Sequence, residues 1–177
     1  PKQGTELENA IEVVNKIAEV KPSYMSVTYG AGGSTVGYSA ALAQSVQANG
    51  IPALAHLTCV KADVHGLIDV LSDFKAKGIN NILALRGDVP AAMSYAPDGC
   101  FAHASELMHF VKSQGDFCIG GAAYPEGHPE SGSLAQDIEN TKYKVDAGVD
   151  FLVTQMFFDN TVLYNYMFRL LSAGINV

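Results

Sequence analysis

Gly78-Ile79-Asn80-Asn81-Ile82 is one copy of a phrase that recurs along the chain. It stands also as Gly50-Ile51-Pro52-Ala53-Leu54 and Gly148-Val149-Asp150-Phe151-Leu152, and begins again at Gly174-Ile175-Asn176-Val177. Each phrase is a glycine, an apolar residue, then Asn, Asp or Pro, then an apolar run. Only glycine enters the left-handed conformation that ends a helix without a Cβ penalty, and the apolar run after it reads as a buried strand. Every copy is therefore a helix-to-strand joint. The strands predicted on this basis are 24–28, 53–58, 82–85, 117–123 and 151–155, mostly apolar as strands buried on both faces should be.

Between the joints lie amphipathic stretches. Thr5 and Glu8 have capping-box spacing, and Leu7, Ile11, Val14 and Ile17 share one helical face. Leu67, Val70, Leu71 and Phe74 repeat the pattern, as do Ile138, Thr141 and Val145, and then Val162, Tyr166 and Leu170. Strand and helix thus alternate with a period of about 30 residues, the size of one βαβ unit, and no two strands are joined by a tight hairpin. A parallel sheet follows. A doubly wound open sheet and a closed barrel both satisfy the pattern; the even unit length and the polar residues at successive strand ends favour the (β/α)8 TIM barrel. The chain opens on a helix with no strand before it and stops where the next strand should start. The expectation is one domain over residues 1–177, the central portion of a barrel with its first strand and last strands missing, completed by flanking sequence that covers the open sheet edges.

Composition narrows the function. A chain of 177 residues that is 48% hydrophobic can bury one sizeable core. Charged residues make up 16% and the net charge is -7, which argues against a general electrostatic grip on nucleic acid or an anionic membrane. A small-molecule partner fits better. Neither a signal-peptide pattern nor an apolar run of bilayer length is present in the sequence, and Cys59, Cys100 and Cys118 are odd in number without CxxC spacing. They read as reduced thiols of a cytoplasmic protein.

A β/α barrel gathers its active site at the carboxyl ends of its strands. Those ends carry Thr28-Tyr29-Gly30, His56-Leu57-Thr58, Arg86-Gly87-Asp88, Tyr124-Pro125-Glu126-Gly127-His128 and Gln155. Any one has a bland explanation: a strand-end His is commonly a hydrogen-bonded core residue, and an Arg two residues from an Asp is commonly an ion pair. Five polar strand ends together point to a site. The glycine-rich turn Gly30-Ala31-Gly32-Gly33-Ser34-Thr35 lets backbone N–H groups approach an anion or a flat ring, but it lacks the Lys of a P-loop and the spacing of a dinucleotide fingerprint. His56, Cys59 and His65 have poor spacing for zinc, and no metal is expected. The loop 89–99, rich in Pro and Gly, is the longest irregular stretch. Asp137, Asn140 and Lys144 fall at i, i+3 and i+7, on one helical face. Spacing alone reads this as a solvated face; the sharper reading is a polar wall, with Lys144 for a phosphate and Asp137 for a ribose hydroxyl.

Taken in order, Ser26-Val27-Thr28-Tyr29-Gly30-Ala31, His56-Leu57-Thr58-Cys59, Leu85-Arg86-Gly87-Asp88, Ala122-Ala123-Tyr124-Pro125-Glu126-Gly127-His128-Pro129-Glu130 and Thr154-Gln155-Met156-Phe157-Phe158-Asp159 resemble methylenetetrahydrofolate reductases across nearly the whole chain. The resemblance implies an oxidoreductase with FAD at the strand ends, contacted by Tyr29, Ala31, His56, Arg86, Gly87, Asp88, Ala104, Tyr124, His128, Ser131, Asp137, Asn140 and Lys144. His103 stands beside the adenine where the family often has Tyr. Thr28, Asp88 and Gln155 are implied as substrate contacts, with Asp88 and Gln155 in catalytic roles and Gln155 serving nicotinamide and folate in turn. The implied reaction is the ping-pong reduction of methylenetetrahydrofolate to its 5-methyl form with NADH or NADPH, in one-carbon and methionine metabolism, by a homo-oligomer. The family's general-acid Glu lies on the first strand, upstream of Pro1, so the 177-residue piece is expected to bind FAD poorly and not to turn over. Two competing readings are another barrel flavoprotein, similar to proline dehydrogenase, and a non-catalytic barrel fragment acting as a binding module.

Overall fold

The computed structural model describes residues 5–28, 36–60, 62–88 and 99–177. In chain order the elements are α1 (Thr5–Ala18), β1 (Met25–Val27), α2 (Val36–Ala48), β2 (Ala53–Thr58), α3 (Val64–Ala76), β3 (Asn81–Leu85), α4 (Ala104–Gln114), β4 (Cys118–Ala123), α5 (Leu134–Asp146), β5 (Phe151–Thr154) and α6 (Asn160–Ser172). The joints behave as their glycines require: Gly50, Gly78, Gly148 and Gly174 all take positive φ, from 69° to 100°. Elsewhere side chains start the helices. Asp63 Oδ1 accepts from Gly66 N–H at 2.7 Å, and Asp159 Oδ1 from Thr161 N–H at 2.7 Å.

All five strands are parallel and lie in the order β1-β2-β3-β4-β5. That order decides between the two architectures left open by the sequence. A doubly wound sheet reverses its strand order at a switch point, whereas an unreversed order with right-handed crossovers puts every connecting helix on one face and curls the sheet. The chain is an α/β half-barrel.

Side-chain alternation then sorts the strands into two faces. Ala53, Ala55 and Leu57 of β2, with Ile82, Ala84 and Ile119, pack against the helices in one cluster that includes Val46, Leu67, Leu71, Phe74, Leu107, Met108 and Val111. The alternate residues Leu54, His56 and Thr58 belong to the other face. Pairing of His56 with Leu83, Leu83 with Gly120 and Gly120 with Phe151 makes one layer of it. A second small cluster, Ala123, Ile138, Tyr166 and Ile175, seats α5 and α6 on the β4–β5 edge.

Two expectations change in detail. Ile17 is 45% exposed, and Val14 and Ala18 are the α1 residues that reach the core; α1 packs mainly against α2, so only a narrow stripe finds a partner. The strand ends Tyr24, Thr28 and Gln155 lie just outside the ladder, although Gln155 N–H still donates to Ala123 O at 2.7 Å. The capping role expected of Thr5 falls on a side chain outside the described residues, as does the loop 89–98.

Candidate active site

At the carboxyl ends of β1 to β4 lies a cleft of about 1170 Å³. Thr28 follows β1; His56 and Thr58 come from β2; Arg86, Gly87 and Asp88 follow β3; Ala122 and Tyr124 end β4. His103 and Ala104 enter from the start of α4, and His128, Glu130 and Ser131 from the β4–α5 loop. Asp137, Asn140 and Lys144 of α5 complete the wall. The structure thus gathers residues from Thr28 to Lys144 in one place. Tyr29 and Ala31 lie outside the described residues. Gln155 does not line this cleft. It lines a neighbouring recess of about 310 Å³ with Met156 and the 124–129 segment, and the two spaces share Tyr124 and His128 as a partition.

The α5 wall overturns the reading taken from spacing alone. Asp137 is 3% exposed, so this face is no solvated surface. Its Oδ1 accepts from the Ser131 hydroxyl at 3.1 Å, and its Oδ2 is buried with no partner. A buried, unpaired carboxylate oxygen is costly, and its position on a cleft wall marks a place for a donor from a ligand. Lys144 Nζ donates to Ala122 O at 2.7 Å, and burial pulls its pKa below the usual lysine range while Asp137 opposes that shift. The ammonium also stands 5.6 Å from the Tyr124 ring centre. Tyr124 meets His128 edge to face at 4.6 Å between ring centres. Burial pushes the Tyr124 phenol above its ordinary value, so it is a neutral donor at physiological pH.

On the opposite wall, His56 Nε2 lies 2.6 Å from Ser26 Oγ, and burial lowers the His56 pKa. The imidazole is thereby kept neutral and held in orientation. Gly87 takes φ +86°, and a Cβ there would lie 3.1 Å from Thr58 Cβ. Only glycine makes this turn, which sets Arg86 and Asp88 at the rim. The bland alternative, a local ion pair between Arg86 and Asp88, gives way to a longer-range one. Arg86 Nη1 and Nη2 each donate at 2.6 Å to Glu130, 44 residues away. This fork raises the Arg86 pKa and holds the Glu130 carboxyl below the usual range.

Several lining residues were not read as part of a site in the sequence. Asp63, Gly66, Val70, Cys100 and Ser105 reach the cleft from α3, the segment before α4 and α4 itself. A pairing of Asp63 with Cys100 brings that segment in, and no local pattern announces it. Cys59 is buried, its thiol pushed up to about 12 by desolvation, so it is inert. Among the described residues no three His, Cys, Asp or Glu side chains are placed to hold a metal ion, and no helix is long and apolar enough to cross a membrane.

The family model described as methylenetetrahydrofolate reductase matches residues 1–177. The 5,10-methylenetetrahydrofolate reductase of Escherichia coli K12 is 37% identical over 179 residues, covering 100% of this chain and 59% of that protein. Methylenetetrahydrofolate reductase (NADH) 1 of Arabidopsis thaliana is 34% identical, covering 99% of this chain and 32% of that protein. The chain therefore spans little more than half of the bacterial relative. A phosphoenolpyruvate phosphomutase from Streptomyces platensis superposes with a TM-score of 0.58 at 11% identity, covering 89% of this chain and 69% of that one, which is a likeness of fold alone. By the family match along its whole length, the chain belongs to the methylenetetrahydrofolate reductase family.

Proposed function

We propose that the protein reduces 5,10-methylenetetrahydrofolate to 5-methyltetrahydrofolate with NADH or NADPH, using FAD held in the cleft. The observation that carries the reading is the buried, unpaired Asp137 Oδ2 in a dinucleotide-sized cleft that also holds a half-buried lysine and a Tyr–His ring pair. These groups fit FAD: a carboxylate for a ribose hydroxyl, an ammonium for a phosphate, ring faces for a flat heterocycle. When bound, FAD supplies a hydride relay between nicotinamide and folate, which makes the cycle ping-pong.

The chain's own residues divide the remaining work. Asn140, whose amide reaches Ser131 Oγ at 3.4 Å, and Ser131 itself fix the Asp137 carboxylate for the ribose. His56, neutral and oriented by Ser26, offers a ring nitrogen without adding charge. Asp88, exposed at the rim, disfavours added negative charge near it and steadies a cationic iminium on the folate. Thr28 and Gln155 contact the substrates. Gln155 does so from the recess behind Tyr124 and His128, so nicotinamide and folate take turns against one partition. The protein acts in the cytoplasm, in keeping with its three free thiols.

The test is oxidation of NADH and of NADPH by the complete protein, with and without methylenetetrahydrofolate, beside FAD fluorescence quenching. Folate-dependent oxidation with saturable quenching is expected, and Asp137→Asn should weaken quenching about tenfold. Oxidation indifferent to the folate would overturn the substrate assignment.

A further inference from the structure

The cleft is poorly charged for the dinucleotide it is proposed to hold. Its lining carries the carboxylates of Asp63, Asp88, Glu130 and Asp137 against two fixed cations, Arg86 and Lys144. Lys144 is half-buried and spends one N–H on Ala122 O. Arg86 is the more accessible cation, and both of its terminal nitrogens are taken by Glu130 at 2.6 Å. A carboxylate and a phosphoryl group present the same two-oxygen face to a guanidinium, so Glu130 sits where an anionic ligand group would bind Arg86.

Glu130 reaches that position from the far wall. It belongs to the β4–α5 loop, which Ser131 ties to α5 by donating to Asp137 Oδ1 and accepting from the Asn140 amide. Within the loop, Glu130 N–H donates to His128 Nδ1 at 3.1 Å and Ser131 N–H to His128 O at 2.9 Å. The loop is thus a strap from α5 to the end of β3, and its only side-chain ion pair among the described residues is Arg86–Glu130.

We propose that Glu130 is a built-in competitor for Arg86: this pair closes the strap, and the strap opens when the diphosphate of an incoming dinucleotide takes the guanidinium. The inference rests on the flavin reading of the cleft. Because the Glu130 side chain is 61% exposed, the pair is weak enough to be exchanged.

Glu130→Gln keeps the side chain's size and removes its charge. Quenching titrations on the complete apoprotein should show FAD binding about threefold to fivefold tighter in the variant, with faster association. Weaker or equal FAD binding in E130Q overturns the proposal. The second measurement needs no flavin: amide hydrogen exchange over residues 126–131, with and without inorganic pyrophosphate at matched ionic strength. Pyrophosphate should speed exchange in the wild type, and E130Q should exchange fast already; a wild-type strap indifferent to pyrophosphate also overturns the proposal. Wild-type protein that binds no FAD removes the flavin reading instead, and the strap is then judged by the pyrophosphate result.

Discussion

Gly120→Ala probes the floor beneath the cleft. Gly120 is buried in β4, paired with Leu83 on one side and Phe151 on the other, in the layer that carries His56. A Cβ at Gly120 would lie 2.6 Å from Phe151 Cε2 and Cζ, and 3.1 Å from Leu83 Cδ1. Carbon atoms rest at about 3.5–4.0 Å, so the new methyl overlaps the ring by roughly 1 Å. Turning the ring off its rotamer costs about 0.5–1.5 kcal/mol, and overpacking of a dense core about 1–3 kcal/mol in all. The expected loss is about 2 kcal/mol, seen as a lower urea midpoint at unchanged slope. Gly121→Ala is the control: it faces the helices, where its Cβ meets the flexible Met108 Cε at 3.2 Å, Val149 Cγ2 at 3.3 Å and Leu152 Cδ2 at 3.4 Å, none as close as the Phe151 ring is to Gly120, and should cost under about 1 kcal/mol. In a Phe151→Val background the Gly120→Ala penalty should fall by more than half (about 1 kcal/mol). A wild-type penalty below about 0.5 kcal/mol, or one unchanged by shortening Phe151, refutes the crowding argument.

Other outcomes follow from the site. His56 has a folded-state pKa below its ordinary 6.5, so the unfolded chain binds the extra proton first as pH falls. Stability should therefore decline from pH 6.5 downward toward the folded pKa, and His56→Gln should flatten that part of the curve; equal slopes in urea midpoint against pH would remove His56 as the cause. Asp88→Asn should raise the potential of the bound flavin and slow folate reduction, measured by dye equilibration and single turnover. Unchanged values for both would take Asp88 out of its role. Cys59, buried with its thiol raised to about 12, should be the last of the three cysteines alkylated in native protein at pH 8, with peptide mapping to identify each site.

Much of the fold was legible because its signals are local. A glycine at positive φ followed by an apolar run involves five residues; the joints at Gly50, Gly78 and Gly148 each lead into a strand, and Gly174 ends α6 in the same conformation. The cleft was partly legible for the same reason: polar residues at strand ends stand out against apolar strands, and Thr28, His56, Arg86, Asp88 and Tyr124 do meet at one rim. Gln155 lines the adjoining recess, a detail that position at a strand end does not give, because it does not say on which side of Tyr124 and His128 a side chain falls.

By itself the sequence determined the alternation of strand and helix, the joints between them and the family motifs, since each depends on φ/ψ limits, apolar runs or residue order within a short window. Only the tertiary structure decided that the sheet keeps its order and curls, because an open doubly wound sheet is built from the same local units. It alone buried Asp137, which the same helical spacing would leave solvated on an outer face. It alone gave Arg86 to Glu130 rather than to the nearby Asp88, because charge pairing follows distance in space and the half-barrel brings together walls 44 residues apart in the chain.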